Sequence, residues 1–416
     1  MENKTVFVFM DQGSAPVALV GQLFIDHAKG KESYSFEYDE TWLSRTERFA
    51  IDPELPLFRG RQYPDNQKLY GVFQDASPDR WGKTLMQRKE GIIARKEGRK
   101  PGKLSDSDYL LGVCDEARMG AIRLSLGMDE PFLSSGDEMA IPPIATLRHL
   151  EAASRAFEND ESHLEEKWVK QLLAPGSSLG GARPKAAVRD TDGTLWLAKF
   201  PSRHDDTDVE AWEKTALDLA EQCGLTVPKT KLQKFSDLGS TLLIERFDRI
   251  GEKRIPFASA MTFLRKSDGD DASYLDLVNT LMENSSSLAA DLEELWKRVV
   301  FNILISNTDD HLRNHGFLHD EKGWRLSPLY DVNPTPYGDS LALAISFDDA
   351  WMSIDTALET APLYRLKTTF AKNTVSDMAN IVKNNWQTIA RQNGLSRAAI
   401  EAMRPAFALA DGNKCK

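Results

Sequence analysis

The sequence predicts an α+β chain in which short strands come first, a small sheet carrying a single helix follows, and the remainder is mainly helical. Three observations point that way. Alternating apolar residues fill the first sixty positions, as in Val17-Ala-Leu-Val-Gly-Gln-Leu-Phe24 and Tyr34-Ser-Phe-Glu-Tyr38. Two apolar runs, Lys185 to Arg189 and Thr194 to Phe200, flank Asp190-Thr-Asp-Gly193, which is a hairpin signal. After about Met261 the apolar spacing becomes helical, with Leu288, Leu292, Leu295, Val299 and Ile303 recurring at three or four residues.

Taken in order, Val6 to about Phe58 reads as strands joined by turns, and Tyr70 to Leu111 as helices. A basic run from Arg88 to Lys103 lies on the exposed side of that helical stretch and reads first as a solvated face. Leu126 to Pro143 mixes Gly, Asp, Ser and Pro without periodicity, which places a domain boundary there. A helix is expected from Ile144 to Asn159 and another ending at Leu173 before Ala174-Pro175-Gly176. The hairpin follows, then a helix from Val209 to Cys223 stopped by Gly224, then strands at Lys229 to Gln233 and Thr241 to Phe247. Three domains result: 1–143, 144–260 and 261–416.

With 416 residues and 41% hydrophobic content the chain can bury a large core. Its 52 basic and 63 acidic residues leave a net charge of -11, which excludes a broad phosphate-binding face but not a local basic patch. Cys114, Cys223 and Cys415 have no paired spacing, so a disulfide framework or thiolate zinc site is not expected and a reducing cytoplasm fits. No stretch approaches the roughly 20 apolar residues of a membrane span, so no membrane partner is expected.

The helix that starts near Leu288 leads into Asn307-Thr-Asp-Asp-His-Leu-Arg-Asn314, and Leu329-Tyr-Asp331 lies a short hairpin further on. Phosphoryl transfer needs a carboxylate to orient an attacking hydroxyl and, five residues later, an Asn oxygen for magnesium. Asp309 and Asn314 have that spacing; Asp310 is one residue short and reads as a neighbour. The hairpin at His315 to Ser327 returns the chain so that Asp331 can approach Asn314, and two hard oxygen ligands beside a phosphate chain suit magnesium. The bland alternative is that these Asp and Asn residues only cap helices and shape turns.

Upstream, Ser177-Ser-Leu-Gly180-Gly181-Ala182-Arg183-Pro-Lys185 is neither a Walker A sequence nor G-x-G-x-x-G, although adjacent glycines let backbone amides approach phosphates. Lys199, alone in Leu195-Trp-Leu-Ala-Lys-Phe200, stands where a kinase places its phosphate-contacting lysine, or is a sheet-edge lysine. Glu210 and Glu213 share a face of the next helix, and Glu213 is preferred as the partner of Lys199.

These residues resemble the HipA family of bacterial toxin kinases. Thr308, Asp309, His311, Asn314, Tyr330 and Asp331 match its T-D-x-H-x-x-N and Y-D pattern, and Ser178 to Lys185, Leu197 to Pro201, Gly224 to Pro228 and Glu245-Arg-Phe-Asp-Arg249 follow in the family's order. Phe73 to Asp79 and Asp115 to Ala121 resemble its N-terminal accessory domain. The resemblance implies a protein-kinase-like bilobal fold with a β-rich accessory domain, a small sheet lobe and a mainly helical lobe. It implies an ATP- and Mg2+-dependent serine/threonine kinase with Asp309 as base, Asn314 and Asp331 as metal ligands, and Lys199, Glu213, His311 and the loop Gly180, Gly181, Ala182, Arg183 and Lys185 around ATP. Glu245 and Phe247 would offer backbone groups to adenine. It further implies autophosphorylation at Ser178, with Ser177 beside it, a protein substrate such as an aminoacyl-tRNA synthetase, and a HipB-like helix-turn-helix antitoxin through which alone DNA is met.

Three rivals remain open on residues alone. Gly176-Ser-Ser-Leu-Gly180 satisfies G-x-S-x-G, but a serine hydrolase elbow needs a strand before it and a helix after. Asp309, Asp310, His311 and His315 suggest a metal hydrolase without its H-E-x-x-H signature. A catalytically inactive kinase fold serving as a repressor or binding module is the third.

Overall fold

The computed structural model describes residues 3–412 apart from 14–15, 29, 66–67, 137–139, 160–171 and 173–180. They pack into two compact units, Met1–Arg203 with Glu245–Arg265, and His204–Ile244 with Lys266–Lys416. Neither coincides with the expected breaks at 143 and 260.

In the first unit, strands Lys4–Met10, Ala18–Ala28, Lys31–Tyr38 and Ile122–Ser125 form an antiparallel sheet in the order third, second, first, fourth. Alternation puts Val6, Val8, Leu23, Ile25 and Phe36 into one core with Trp42 and Phe73. Val8 pairs with Gly21 and Phe9 with Leu19, so Val20 is an extra, bulged residue. Gly21 is required there, since a Cβ would meet the Glu37 carbonyl oxygen at 2.2 Å. The expectation of strands as far as Phe58 fails after Tyr38: Asp39 caps a one-turn helix, Glu40–Ser44, whose Trp42 plugs the sheet.

The helical stretch that follows is Gly71–Asp75, Arg80–Lys96 and Asp106–Gly112. Asp79 caps the second by accepting from the Gly82 amide, and Ser105 with Asp108 forms a capping box on the third. The expected hairpin is Lys185–Arg189 paired with Leu195–Lys199. Its turn closes with the Asp190 amide donating to the Thr194 carbonyl, and Gly193 takes φ +88°, a backbone that glycine adopts without strain.

In the second unit the helix Val209–Gln222 packs on the long helix Thr368–Gln392. Leu288–Leu304, whose apolar spacing was legible, is buried against Tyr274–Asn284 and Ile354–Thr360. A hairpin, Gly316–Asp320 with Gly323–Leu326, follows the candidate catalytic segment. The helix expected to end at Leu173, apart from Leu172, and Cys415 lie outside the described residues. Among the described residues no helix is long and apolar enough to cross a membrane.

Candidate active site

The helix Leu288–Leu304 ends in a turn where Ser306 takes φ +51° and donates its hydroxyl to the Ala406 carbonyl at 2.9 Å. A polar residue inside the apolar run Val299-Val-Phe-Asn-Ile-Leu304 then explains itself. Asn302 is fully buried, donates to Asp310 Oδ2 at 2.8 Å and accepts from Asn307 Nδ2 at 3.1 Å. Asp310 Oδ2 also accepts from the Tyr274 hydroxyl at 2.5 Å and lies 2.8 Å from His315 Nε2. Burial works against this carboxylate's charge, but His315 and these hydrogen bonds hold it below the usual carboxylate range. Asp310 is 0% exposed and its charge is spent inside the fold, so it braces the turn.

Asp309, by contrast, is exposed. The atoms packed round its carboxyl raise its affinity for protons, His311 offsets part of that, and the carboxylates of Asp331 and Asp310 add to it. The three-residue 3-10 turn Leu312–Asn314 brings Asn314 back: its side-chain amide donates to the Asp309 carbonyl at 3.0 Å and reaches the Asp331 carbonyl at 3.5 Å. The Tyr330 hydroxyl donates to the Arg313 carbonyl at 2.7 Å, fastening the Tyr330-Asp331 segment to the same turn. Asp331 takes φ +58°, a left-handed backbone that costs a non-glycine residue of order 1 kcal/mol or more and persists where surroundings over-determine it. Thus the turn sets the Asn314 side chain against the backbones of Asp309 and Asp331.

Asn314 supplies the test of fit for a metal. Its side chain is 2% exposed, and Oδ1 has no hydrogen-bond partner while the amide nitrogen is occupied. A buried orphaned oxygen on a turn that touches Asp331 is a hard donor of the kind magnesium takes together with carboxylate, phosphate and water oxygens. Among the described residues no three His, Cys, Asp or Glu side chains cluster to hold a metal by themselves. With Asp310 and His315 bonded to each other, the metal-hydrolase set loses two of its four members.

In the first unit Lys199 is buried and stands directly opposite Lys185 in the strand pair, so both side chains leave the same face. The expectation for Lys185 needs correction. Its ammonium is 2.7 Å from Asp79 Oδ2, also donates to the Gly181 carbonyl at 3.2 Å, and is buried with its partner, which makes it an anchor for the loop rather than a hand extended to a ligand. Sequence reasoning missed Asp79 because 106 residues separate the pair. Gly181 takes φ +21°; Gly181 and Ala182 are exposed and Arg183 half-buried beside them. Gly180, Ser177 and Ser178 lie outside the described residues. Glu213 is buried on its helix in the second unit.

The segment Glu245 to Arg249 is clamped from below. Asp248, fully buried, accepts from Arg246 Nη2 at 2.6 Å, Arg249 Nη1 at 2.6 Å and the Gly120 amide at 2.8 Å. Burial alone would raise its pKa, yet the two guanidiniums keep it well below the carboxylate range. Arg246 donates to the Ala117 carbonyl at 3.0 Å and Arg249 to the Arg118 carbonyl at 2.7 Å. Asp115, two residues before that loop turn, carries Arg254 at 3.0 Å and Arg123 at 2.6 Å. The two motifs at 115–121 and 245–249 are therefore one buried brace, which holds Glu245 and Phe247 in place.

Family models give the class. The HipA-like C-terminal domain matches residues 177–386 and the HipA N-terminal domain residues 15–125, and with more than half the chain matched, this chain belongs to the HipA family. It has an α+β, kinase-like fold. A chain of the Shewanella oneidensis MR-1 toxin–antitoxin complex of HipA, HipB and operator DNA superposes with a TM-score of 0.62 over 98% of this chain and 97% of that one, at 16% identity. Among curated relatives, "Putative kinase Y4dM" of Sinorhizobium fredii (strain NBRC 101917 / NGR234) is 31% identical over 161 residues, 35% of this chain and 39% of that protein. "Toxin YjjJ" of Escherichia coli (strain K12) is 25% identical over 236 residues, 54% of this chain. The chain spans 39% and 50% of the length of these two relatives.

Proposed function

We propose that this chain is an ATP-dependent serine/threonine protein kinase of the HipA toxin type. The observation that carries the reading is the convergence of exposed Asp309 with Asn314, whose buried Oδ1 is unpartnered, and Asp331, held in a left-handed backbone. In this reading Asp309 orients a substrate Ser or Thr hydroxyl and accepts its proton as the hydroxyl oxygen bonds to the γ-phosphorus of ATP. The bond from that phosphorus to the β,γ-bridging oxygen breaks, and ADP leaves. Asn314 and Asp331 would hold Mg2+, which neutralises charge on the phosphates. Lys199 is proposed to contact the α and β phosphates, with Glu213 as the partner the family resemblance implies; His311 and the loop from Gly180 to Arg183 would border them, and backbone groups of Glu245 and Phe247 would meet adenine.

Phosphate on Ser178, or on Ser177 beside it, would add about -1.5 to -2 charges and repel the nucleotide, switching the enzyme off. The protein substrate is proposed to be an aminoacyl-tRNA synthetase or another translation component in the cytoplasm. The HipA–HipB–DNA assembly of the structural relative supports a HipB-like antitoxin as partner, through which operator DNA would be met. The test is incubation with labelled ATP and magnesium, comparing the wild type with Asp309→Ala. Label on the wild type or on an added protein, absent from the variant, is the expected result; no label on either sinks the kinase reading. Mass spectrometry that finds phosphate only away from Ser177 and Ser178 removes the switch.

A further inference from the structure

The basic run noted in the sequence is not absorbed by phosphoryl transfer. From Arg80 to Lys103 there are nine basic side chains against two carboxylates, a local excess of seven positive charges in a chain of net charge -11. Both carboxylates, Glu90 and Glu97, are engaged by Arg99. The other cations lie on the 17-residue helix Arg80–Lys96, about 25 Å long, and in the loop beyond it; at 3.6 residues per turn Arg80, Lys83, Arg88 and Arg95 form a row on one side, with Lys89 and Lys96 off it.

At the start of this row the first unit carries a cleft of about 570 Å³ lined by Arg80, Lys83, Gln87, Arg88, Tyr109 and Phe157. It is a shallow groove open to solvent rather than an enclosed cavity. Each ring has one cation over it: the Arg88 guanidinium carbon is 6.0 Å from the Phe157 centroid and Lys83 Nζ is 5.4 Å from that of Tyr109. The rings are set on rigid supports. Buried Trp81 meets Phe157 edge to face at 5.1 Å and is itself fixed by donating its indole N–H to the Lys185 carbonyl at 3.0 Å. Tyr109 belongs to the helix Asp106–Gly112, closed by its capping box. The acidic groups that act on Tyr109 are Asp106 and Asp108, and Asp108 is spent on Ser105.

Aromatic faces beside cations at the head of a row of positive charge are the combination that receives stacked bases and a phosphate backbone. A single phosphate or phosphopeptide would use one cluster of cations and leave both rings and the rest of the row without purpose. We propose that this cleft and the helix leading from it bind a single-stranded nucleic acid, with a base against Phe157 and Tyr109 and phosphates on Arg80, Lys83, Arg88 and the basic residues beyond. The proposal assumes nothing about phosphoryl transfer.

The experiment is fluorescence anisotropy with a 5′-fluorescein 12-nucleotide RNA of mixed sequence, and the same sequence as DNA, at 50 and 200 mM NaCl. Lys83→Glu/Arg88→Glu is expected to weaken binding at least tenfold and to flatten the salt dependence by about 1.4 in log–log slope, at about 0.7 for each phosphate that is no longer neutralised. Phe157→Leu is expected to weaken oligonucleotide binding about fivefold or more while leaving heparin binding unchanged. If the glutamate pair melts early, Lys83→Gln/Arg88→Gln makes the same comparison. No binding at 50 mM NaCl, or equal binding by the charge variants, overturns the proposal. So does tighter binding of a phosphoserine peptide than of the oligonucleotide, or indifference of the oligonucleotide to Phe157→Leu.

Discussion

Asp310→Ala is expected to damage folding and Asp309→Ala chemistry, although the two residues are neighbours in the chain. In the native state Asp310 Oδ2 serves Tyr274, Asn302 and His315, all three fully buried. Truncation leaves those donors without their acceptor and breaks a buried pair, for which about 3–5 kcal/mol is the usual cost. For a unit of this size that lowers the midpoint of thermal unfolding by about 6–20 °C. Because the folded state holds Asp310 below its ordinary range, its contribution is complete above the unfolded carboxylate pKa near 4 and is lost as pH falls through the depressed folded value. Asp309 is exposed and sits among like charges, so its truncation should leave stability within about 0.5 kcal/mol while transfer from labelled ATP falls by about 10²–10⁴. Calorimetry and a filter-binding kinase assay on both variants separate the two effects. An Asp310→Ala protein that melts like the wild type yet is inactive, beside an active Asp309→Ala, refutes the assignment.

Asp309 is raised above the ordinary carboxylate range, so the acid limb of the kcat/KM profile should lie above pH 4 and move down in Asp331→Asn, which removes a neighbouring charge. Asn314→Ala should raise the magnesium concentration needed for half-maximal transfer by tenfold or more; an unchanged requirement argues against its ligand role. Asp248→Ala should cost about 3–5 kcal/mol, read by urea denaturation, since it leaves Arg246 and Arg249 as buried cations without their carboxylate. Asp52 is buried and its pKa is pushed up to about 6. Its protonated form favours the folded state, so it contributes stability below pH 4 that is lost as pH rises to about 6. Asp52→Asn should flatten that decline in a pH series of melts.

Much of this was legible in local pattern. The Asp190-Thr-Asp-Gly193 turn, the helix from Val209 and the apolar stripe from Leu288 to Ile303 are set by neighbours within a few residues, and period and turn chemistry report those interactions. The preference for Asp309 over Asp310 rested on a count of five, to which the structure adds that the second carboxylate is buried and bonded within the fold. Asn302 carried a readable signal, a polar residue amid Val, Phe and Ile, which buried chains retain only when satisfied. The pairing of Lys185 with Asp79 and of Asp248 with the Gly120 amide spans 106 and 128 positions, and no periodicity encodes such distances. For the same reason the chain's return at Glu245–Arg265 into the first unit could not be read from composition.

The brace at Asp248 bears on how this gene can be cut. The regions recognised as N-terminal and C-terminal domains each hold half of it: the Gly120 amide and the carbonyls of Ala117 and Arg118 in one, the Arg246, Asp248 and Arg249 side chains in the other. Separate expression of the two would leave one product with three charged groups deprived of their carbonyl and amide partners, and the other with a loop lacking the side chains that shape it. Although family models treat them as two modules, the brace joins residues of both within the first unit, and recombination between relatives would succeed only where both halves of the brace travel together.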